Sequence, residues 1–306
     1  MKLYYKNTDI YKDVSVNYCV HEMYAEKQAD TLVIRFNDTK GVWSKWNPAT
    51  GDAIRLTEGA SNTGKMFIHS MTSENGLFTI RAMSMPKSCS TKKSKTWEGV
   101  RFLQLGNEIA KNNGLTFQNY GCKDHVYPSL KQERETDVAL FSRVCMLEGY
   151  QMLIYDGKLL AYNEQYIESQ PPAATLEIGD NGNFSYEDNR AVCFGSCEIS
   201  SGKYSGRFKA PNAINTAVLR PDKAIPVTSN SEAARFAKGL LRNANKYGRT
   251  GKFSKSLLTG YAAASLVRLK TKKASAWDGT VFVYKVRHDF VGNKSTLYFR
   301  DLLEGY

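Results

Sequence analysis

From the start of the chain to about Met85, apolar and polar residues alternate with period two. Val14, Val16, Tyr18 and Val20 interleave with Ser15, Asn17, Cys19 and His21; a polar stretch at 26–30 follows, and 31–36 is again strand-like. That pattern predicts a hairpin. Further strands are expected at 52–57, 65–70 and 77–83, joined by turn-rich connections at 58–62 and 73–76. Short strands with close turns are the signature of a small sandwich or barrel.

The period then changes. Residues 87–95 are polar and basic and read as a linker, and 97–113 carries Val100, Leu103 and Ile109 before Asn112-Asn113-Gly114, which predicts a helix with a glycine stop. A strand at 115–120 follows. Thr136 is placed to cap a second helix with Val138, Phe141, Val144 and Cys145 on one face and Gly149 at its end. Strands at 150–155 and 158–162 flank Asp156-Gly157, a strong hairpin dipeptide. Residues 96–165 therefore read as a compact α+β unit.

From Thr175 the β pattern returns, with strands expected at 175–178, 184–186, 190–199 and 204–209 and turns at Gly179-Asp180-Asn181-Gly182 and Ser200-Ser201-Gly202. A connection through Pro211, Pro221 and Pro226 leads to a helix at 231–247 and to strands at 265–270, 280–289 and 294–300. In that helix Arg235, Lys238, Arg242 and Lys246 share one narrow arc, opposite Phe236, Leu240, Ala244 and Tyr247. Arg249, Lys252 and Lys255 extend the basic run, so that seven basic residues between Ser231 and Lys255 meet only Glu232. A solvated face with a basic loop, contact with an acidic protein surface, and nucleic-acid binding all fit this pattern.

Composition narrows the classes. The chain has 306 residues, 42% of them apolar, enough for two or three packed units and against disorder. No run approaches the roughly 18 to 20 apolar residues of a membrane span, and the first residues lack the apolar core of a signal peptide, so a chain made in the cytoplasm and without a membrane partner is expected. The net charge of +12 is too modest to name nucleic acid by itself. Six cysteines, without a CxxC pair, read as reduced, apolar residues. The 18 tyrosines suit half-buried strands and protein interfaces.

Each candidate for chemistry has a plainer explanation. Gly59-Ala60-Ser61-Asn62-Thr63-Gly64-Lys65 has phosphate-loop spacing, but Met66 stands where a magnesium-binding hydroxyl belongs and a strand follows where a helix is needed. Cys193 and Cys197 lack a second metal-ligand pair; in one strand they would share a face. His21, His69, His125 and His288 have no nucleophile motif beside them. Among Glu133, Glu135 and Asp137, Asp137 fits the first turn of a helix, where it offsets the dipole. No catalytic, cofactor-binding or metal-binding residue is assigned, no cofactor is expected, and the chain reads as a non-enzyme.

Residues 135–150, from Glu135-Thr136-Asp137 to Glu148-Gly149-Tyr150, followed by Asp156-Gly157-Lys158-Leu159, resemble the signature of phage late control D proteins, the baseplate hubs of contractile tails. Trp277-Asp278-Gly279-Thr280 leading into Val283-Tyr284-Lys285-Val286-Arg287-His288 resembles that family's closing strand pair. The resemblance implies an α+β, mainly β chain in which two tail-tube-like β-barrels, 1–90 and 169–306, flank an inserted small α+β domain, 91–168, with the basic helix 231–247 in the second barrel. It also implies a homotrimer that joins the sixfold tail tube to the threefold central spike among other baseplate proteins, in a phage tail or a phage-tail-like bacteriocin. The particle would assemble in the bacterial cytoplasm before release, and the end at Tyr306 leads one to expect that the puncturing tip is a separate protein. His288 then reads as a structural strand residue. Two rivals stand beside this reading: a baseplate-associated peptidoglycan hydrolase with carboxylates gathered from distant segments, and a nucleic-acid-binding module using 231–255, with nucleic acid the less expected partner.

Overall fold

Alternation along Thr31–Asn37 places Leu32, Ile34 and Phe36 on one face, and all three are fully buried. The computed structural model in which they lie describes residues 1–179, 183–211, 213–272 and 274–306; most of the turn expected at 179–182 falls outside the described residues. The first part of the chain forms β1 (Lys2–Tyr5), β2 (Thr8–Asp9), β3 (Ser15–Tyr24), β4 (Thr31–Asn37), α1 (Val42–Trp46), β5 (Ala53–Glu58), β6 (Ser61–Asn62), β7 (Met66–Glu74) and β8 (Leu77–Met83). The short α1 interrupts the expected run of strands. It drops Trp43 into the core, stacked on Phe78 at 5.4 Å and tilted against Phe36 at 4.6 Å.

A one-turn 3₁₀ segment then leads into β9 (Lys92–Arg101), α2 (Phe102–Asn112), β10 (Thr116–Tyr120), β11 (Val126–Thr136), α3 (Asp137–Glu148), β12 (Tyr150–Tyr155), β13 (Lys158–Asn163) and α4 (Glu164–Glu168). The basic stretch read as a linker opens with the 3₁₀ turn Lys87–Ser90 and from Lys92 runs into strand β9, and the helix expected from 97 begins at Phe102. Long-range pairing decides this: β9 runs antiparallel to β11, while Lys93 pairs with Asp137 and Lys95 with Glu108, so three lysines in ten residues are held extended. Thr136 Oγ1 accepts the Ala139 amide and Gly149 ends α3 at φ 74°, as the capping residues require. β10 pairs parallel with β13, and the Asp156-Gly157 hairpin joins β12 to β13.

The last part comprises β14 (Thr175–Ile178), β15 (Phe184–Asp188), β16 (Ser196–Ser201), β17 (Tyr204–Lys209), β18 (Val218–Leu219), α5 (Asn230–Asn245), β19 (Arg249–Ser256), β20 (Ser265–Thr271), β21 (Gly279–Asp289) and β22 (Lys294–Asp301). Two expectations are corrected. The strand expected over 190–199 begins only at Ser196, after a 3₁₀ turn at Arg190–Val192, and the basic loop expected after the helix is strand β19, paired on both sides.

Among the described residues fourteen strands join into one sheet through β21. Its first half, up to Val283, pairs with β20; its second half, from Lys285, pairs with β3; and β22 lines its other edge with a register break between Val283 and Lys285. That irregularity lets one strand serve two neighbours in succession. The fold is mainly β, with about 47% strand and five α-helices among the described residues. The main path ends on the open strands β15 and β2, and no closed barrel is found among the described residues.

Helix α5 crosses α3 at a glycine contact. A Cβ on Gly239 would lie 2.2 Å from the Leu147 carbonyl oxygen, so only glycine permits this approach. One continuous apolar core accordingly takes Phe102, Leu105, Phe141 and Val144 from the middle of the chain together with Ile199, Phe236 and Leu241 from the last part.

Candidate assembly surfaces

Helix α5 turns Arg235, Arg242 and Lys246 of its basic arc onto carboxylates, while Lys238 stays half-buried over the Phe208 ring. Arg242 Nε donates to Glu164 Oε2 at 3.0 Å and Nη2 to Glu168 Oε1 at 2.7 Å; Lys246 donates to Glu26 and lies 3.4 Å from Glu164. From β22, Arg300 reaches Glu164 at 3.1 Å and Glu168 at 2.8 Å. Three cations and three carboxylates thus close a buried network, and Tyr247 adds its hydroxyl to Glu26. Burial works to raise the Glu164 carboxyl, but the charges of Arg300, Lys246 and Arg242 outweigh it and hold it at about 2. Burial lowers the Lys246 ammonium against the pull of Glu164 and Glu26. Arg235, about two turns nearer the helix start than Arg242, forks onto Glu148, which also accepts the Tyr127 hydroxyl at 2.8 Å.

This overturns the amphipathic reading of the helix. Arg242 and Lys246 are buried whereas Ala244, assigned to the apolar side, is exposed. The acidic partners that the sequence pattern called for are this chain's own Glu26, Glu148, Glu164 and Glu168. The sequence pattern gave these four no role, because Glu26, Glu148 and the short helix carrying Glu164 and Glu168 lie in three segments far apart in the chain. Glu148 and Glu164, at the last and first positions of apolar-flanked helices, were the only hint.

The other singled-out residues are dispersed. Gly59 and Gly64 bracket β6 at positive φ, and the Lys65 amide donates to Asp156 at 2.9 Å, so the glycine-rich stretch is a turn docked on the β12–β13 hairpin. Asp137 is held by Lys93, Gln132 and Asn113, and Glu135 by Arg143 at 2.6 Å, which leaves Glu133 alone on the surface. His288 and His21 face each other across β21 and β3, both buried; His288 Nδ1 meets Ser295 Oγ at 2.7 Å and Nε2 the Tyr261 carbonyl at 3.2 Å. All six cysteines are free; Cys197 lies in the core, while Cys193 sits half-exposed before β16 and shares no strand face with it. Among the described residues no group of His, Cys, Asp and Glu could hold a metal ion, and no helix is long and apolar enough to cross a membrane.

What the surface offers is strand edge and apolar side chain. On open β15 Tyr186 is 56% exposed, and in the turn after it Val192 is 77% exposed. Asn215 donates to the Ala191 carbonyl at 3.0 Å, which ties the segment carrying exposed Ile214 beside Val192. An unpaired strand edge bordered by exposed apolar residues leaves backbone donors and acceptors free beside apolar surface.

No protein-family model matches this sequence, and no curated protein matches it. Solved structures do match its fold from end to end. A tail protein from Neisseria meningitidis MC58 aligns at a TM-score of 0.77 with 11% identity, covering 98% of this chain and 95% of that one. The 43 kDa tail protein of prophage MuSo2 from Shewanella oneidensis aligns at 0.75 with 12% identity over 98% and 97%. An Escherichia coli component of the type VI secretion system, described as similar to the bacteriophage T4 tail proteins gp27 and gp5, aligns at 0.60 with 11% identity over 100% and 78%. The chain therefore has the fold found in phage tail proteins and in a type VI secretion component.

Proposed function

We propose that this chain is a structural, non-enzymatic hub of a contractile tail or tail-like particle: a homotrimeric adaptor that joins the sixfold tube to the threefold spike and contacts other baseplate proteins. The observation that carries this reading is the whole-length match to two tail proteins, in which nearly all of both chains superpose. In this reading the half-sheets before and after the inserted unit, 1–90 and 169–306 around 91–168, are the two tube-like modules. Threefold closure of a chain with two such modules presents six similar surfaces to a sixfold partner. The open β15 edge and the apolar residues Tyr186, Val192 and Ile214 are the surface we assign to a neighbouring subunit or tail protein. The chain would be made in the bacterial cytoplasm and then reside in the released particle.

Neither rival gains support. Arg235, Arg242 and Lys246 are spent on internal carboxylates, which weakens the case for a nucleic-acid surface on α5. The carboxylates weighed for sugar hydrolysis are each engaged by separate basic residues or stand apart. The test is quantitative mass spectrometry of purified particles from an induced producer culture. About three copies per particle is the expected result; absence from particles, or a copy number matching the tube or sheath, overturns the hub.

A further inference from the structure

A cleft of about 410 Å³ lies where three parts of the chain meet: β3, the β3–β4 turn and the 60–62 turn on one side, β10, β12 and β13 on another, and the 260–264 segment on the third. Its lining is mainly apolar and includes Tyr24, Tyr120, Tyr155, Tyr162 and Tyr261. One carboxylate lines it as well. Asp30, at the end of the β3–β4 turn, is only 7% exposed, and its Oδ1 accepts the Tyr24 amide at 2.9 Å. Its Oδ2 accepts nothing from any described residue, and no described Lys or Arg pairs with it. The hydroxyls that could reach across the cleft are committed elsewhere: Tyr24 to Glu22, Tyr120 to Gln118, Tyr155 to the Asn62 carbonyl and Tyr162 to the Ala25 carbonyl.

This is unusual in a chain that otherwise pairs its buried carboxylates. Glu26, Glu148, Glu164 and Asp137 each meet a cation, and Asp30 alone among these buried acids is left beside a cavity. An unpaired buried carboxylate is costly, and it becomes favourable when a cation from outside supplies the missing charge and donors. The tyrosines around it match the apolar stem of such a cation, and aromatic rings attract ammonium groups at short range. We propose that the cleft binds a primary alkylammonium group, with its charge at Asp30 and its methylenes among the tyrosines. The group comes from a free amine or from a lysine side chain of a tail partner, since both present the same chemistry.

The experiment is an NMR or calorimetric titration of the full chain at about 0.15 M salt. The probes are n-butylammonium and its neutral isostere 1-butanol, tested on the native chain and on Asp30→Asn. Expected is a dissociation constant on the order of 1 mM for n-butylammonium, weakened at least roughly tenfold for 1-butanol and for Asp30→Asn. Burial, working against the Tyr24 amide bond, raises the Asp30 carboxyl to about 7. Affinity in the native chain should therefore fall about tenfold per pH unit below that value and level off above it. The other titratable groups lining the cleft are the tyrosines and His21, which burial and His288 hold at about 3. This arm needs no variant, so it decides the matter even where Asp30→Asn does not fold.

Two further probes separate the sources. Nα-acetyl-lysine N-methylamide binding as tightly as n-butylammonium supports the site and makes a partner's lysine its occupant. Binding of 1,4-diaminobutane and n-butylammonium but not of the capped lysine supports the site and makes a free amine its occupant. No saturable binding by n-butylammonium, equal binding by 1-butanol, or binding indifferent to pH overturns the proposal.

Discussion

Arg242 donates from Nε to Glu164 Oε2 at 3.0 Å, and neither side chain keeps more than 3% of its surface in solvent. The pair belongs to a network that ties the β3–β4 turn, α4, α5 and β22 together through Glu26, Glu168, Lys246 and Arg300. Such a cluster stabilises little relative to a well-packed apolar one, yet removing one member strands its partner without solvent. Arg242→Ala and Glu164→Ala are each expected to destabilise the chain by about 3–5 kcal/mol. Urea unfolding reads this as a lower midpoint at similar slope; a change below about 1 kcal/mol would mean that water reaches the network.

Two acids titrate in opposite senses. Glu164 is held at about 2 in the fold against an ordinary value of 4.5, so its contribution is present above pH 4.5 and lost as pH falls towards 2. Asp30 is raised from 3.8 to about 7, so the folded state holds a proton that the unfolded chain releases, and stability declines as pH rises between those values. Asp30→Asn should therefore raise the unfolding midpoint at pH 8 by an amount worth roughly 1–3 kcal/mol, with the gain vanishing near pH 4. Equal effects at both pH values would contradict the assigned shift.

The crossing of α5 over α3 is set by Gly239. Gly239→Ala would bring a methyl group to 2.2 Å from the Leu147 carbonyl oxygen and 2.6 Å from the Gly149 amide, both backbone atoms that cannot swing away. The helices must separate, at a cost of about 1–3 kcal/mol or more. Thermal unfolding checks it; an alanine variant as stable as the parent would show that the helices approach less closely in solution.

Cysteine labelling gives a further independent check on the core. Cys19, Cys89, Cys122, Cys145 and Cys197 are buried and Cys193 is half-exposed. Burial raises the thiols, to about 11 for Cys89 and Cys197, which leaves them mostly unreactive at neutral pH. Native protein treated with iodoacetamide and digested should carry its label first on Cys193. Early labelling of Cys145 or Cys19 would mean that α3 or the first sheet opens readily.

Much of the fold was legible because its cause is local. The alternation of Leu32, Ile34 and Phe36, the Thr136 cap, the Gly149 stop and the Asp156-Gly157 turn each fix an element within a few residues, and the structure forms each of them. Lys92, Lys93 and Lys95 read as linker because nothing nearby announces that β11 waits some forty residues on to pair with them. The same holds for Arg249, Lys252 and Lys255, whose partners are β15 and β22.

The candidate site divides the same way. The sequence by itself determined that α5 is a helix and that Arg235, Arg242 and Lys246 lie along one side of it, since helical spacing depends on the backbone alone. Only the tertiary structure decided what that side faces. Charge sets the sign of the partner that a basic residue needs, but not whether that partner stands on another protein or elsewhere in the same chain. Here Glu26, Glu148, Glu164 and Glu168, from three distant segments that the tertiary structure gathers around α5, answer Arg235, Arg242 and Lys246 from within. Asp30 shows the converse: an ordinary turn residue in the sequence, it is left facing a cleft without a counter-charge only because three distant segments meet around it.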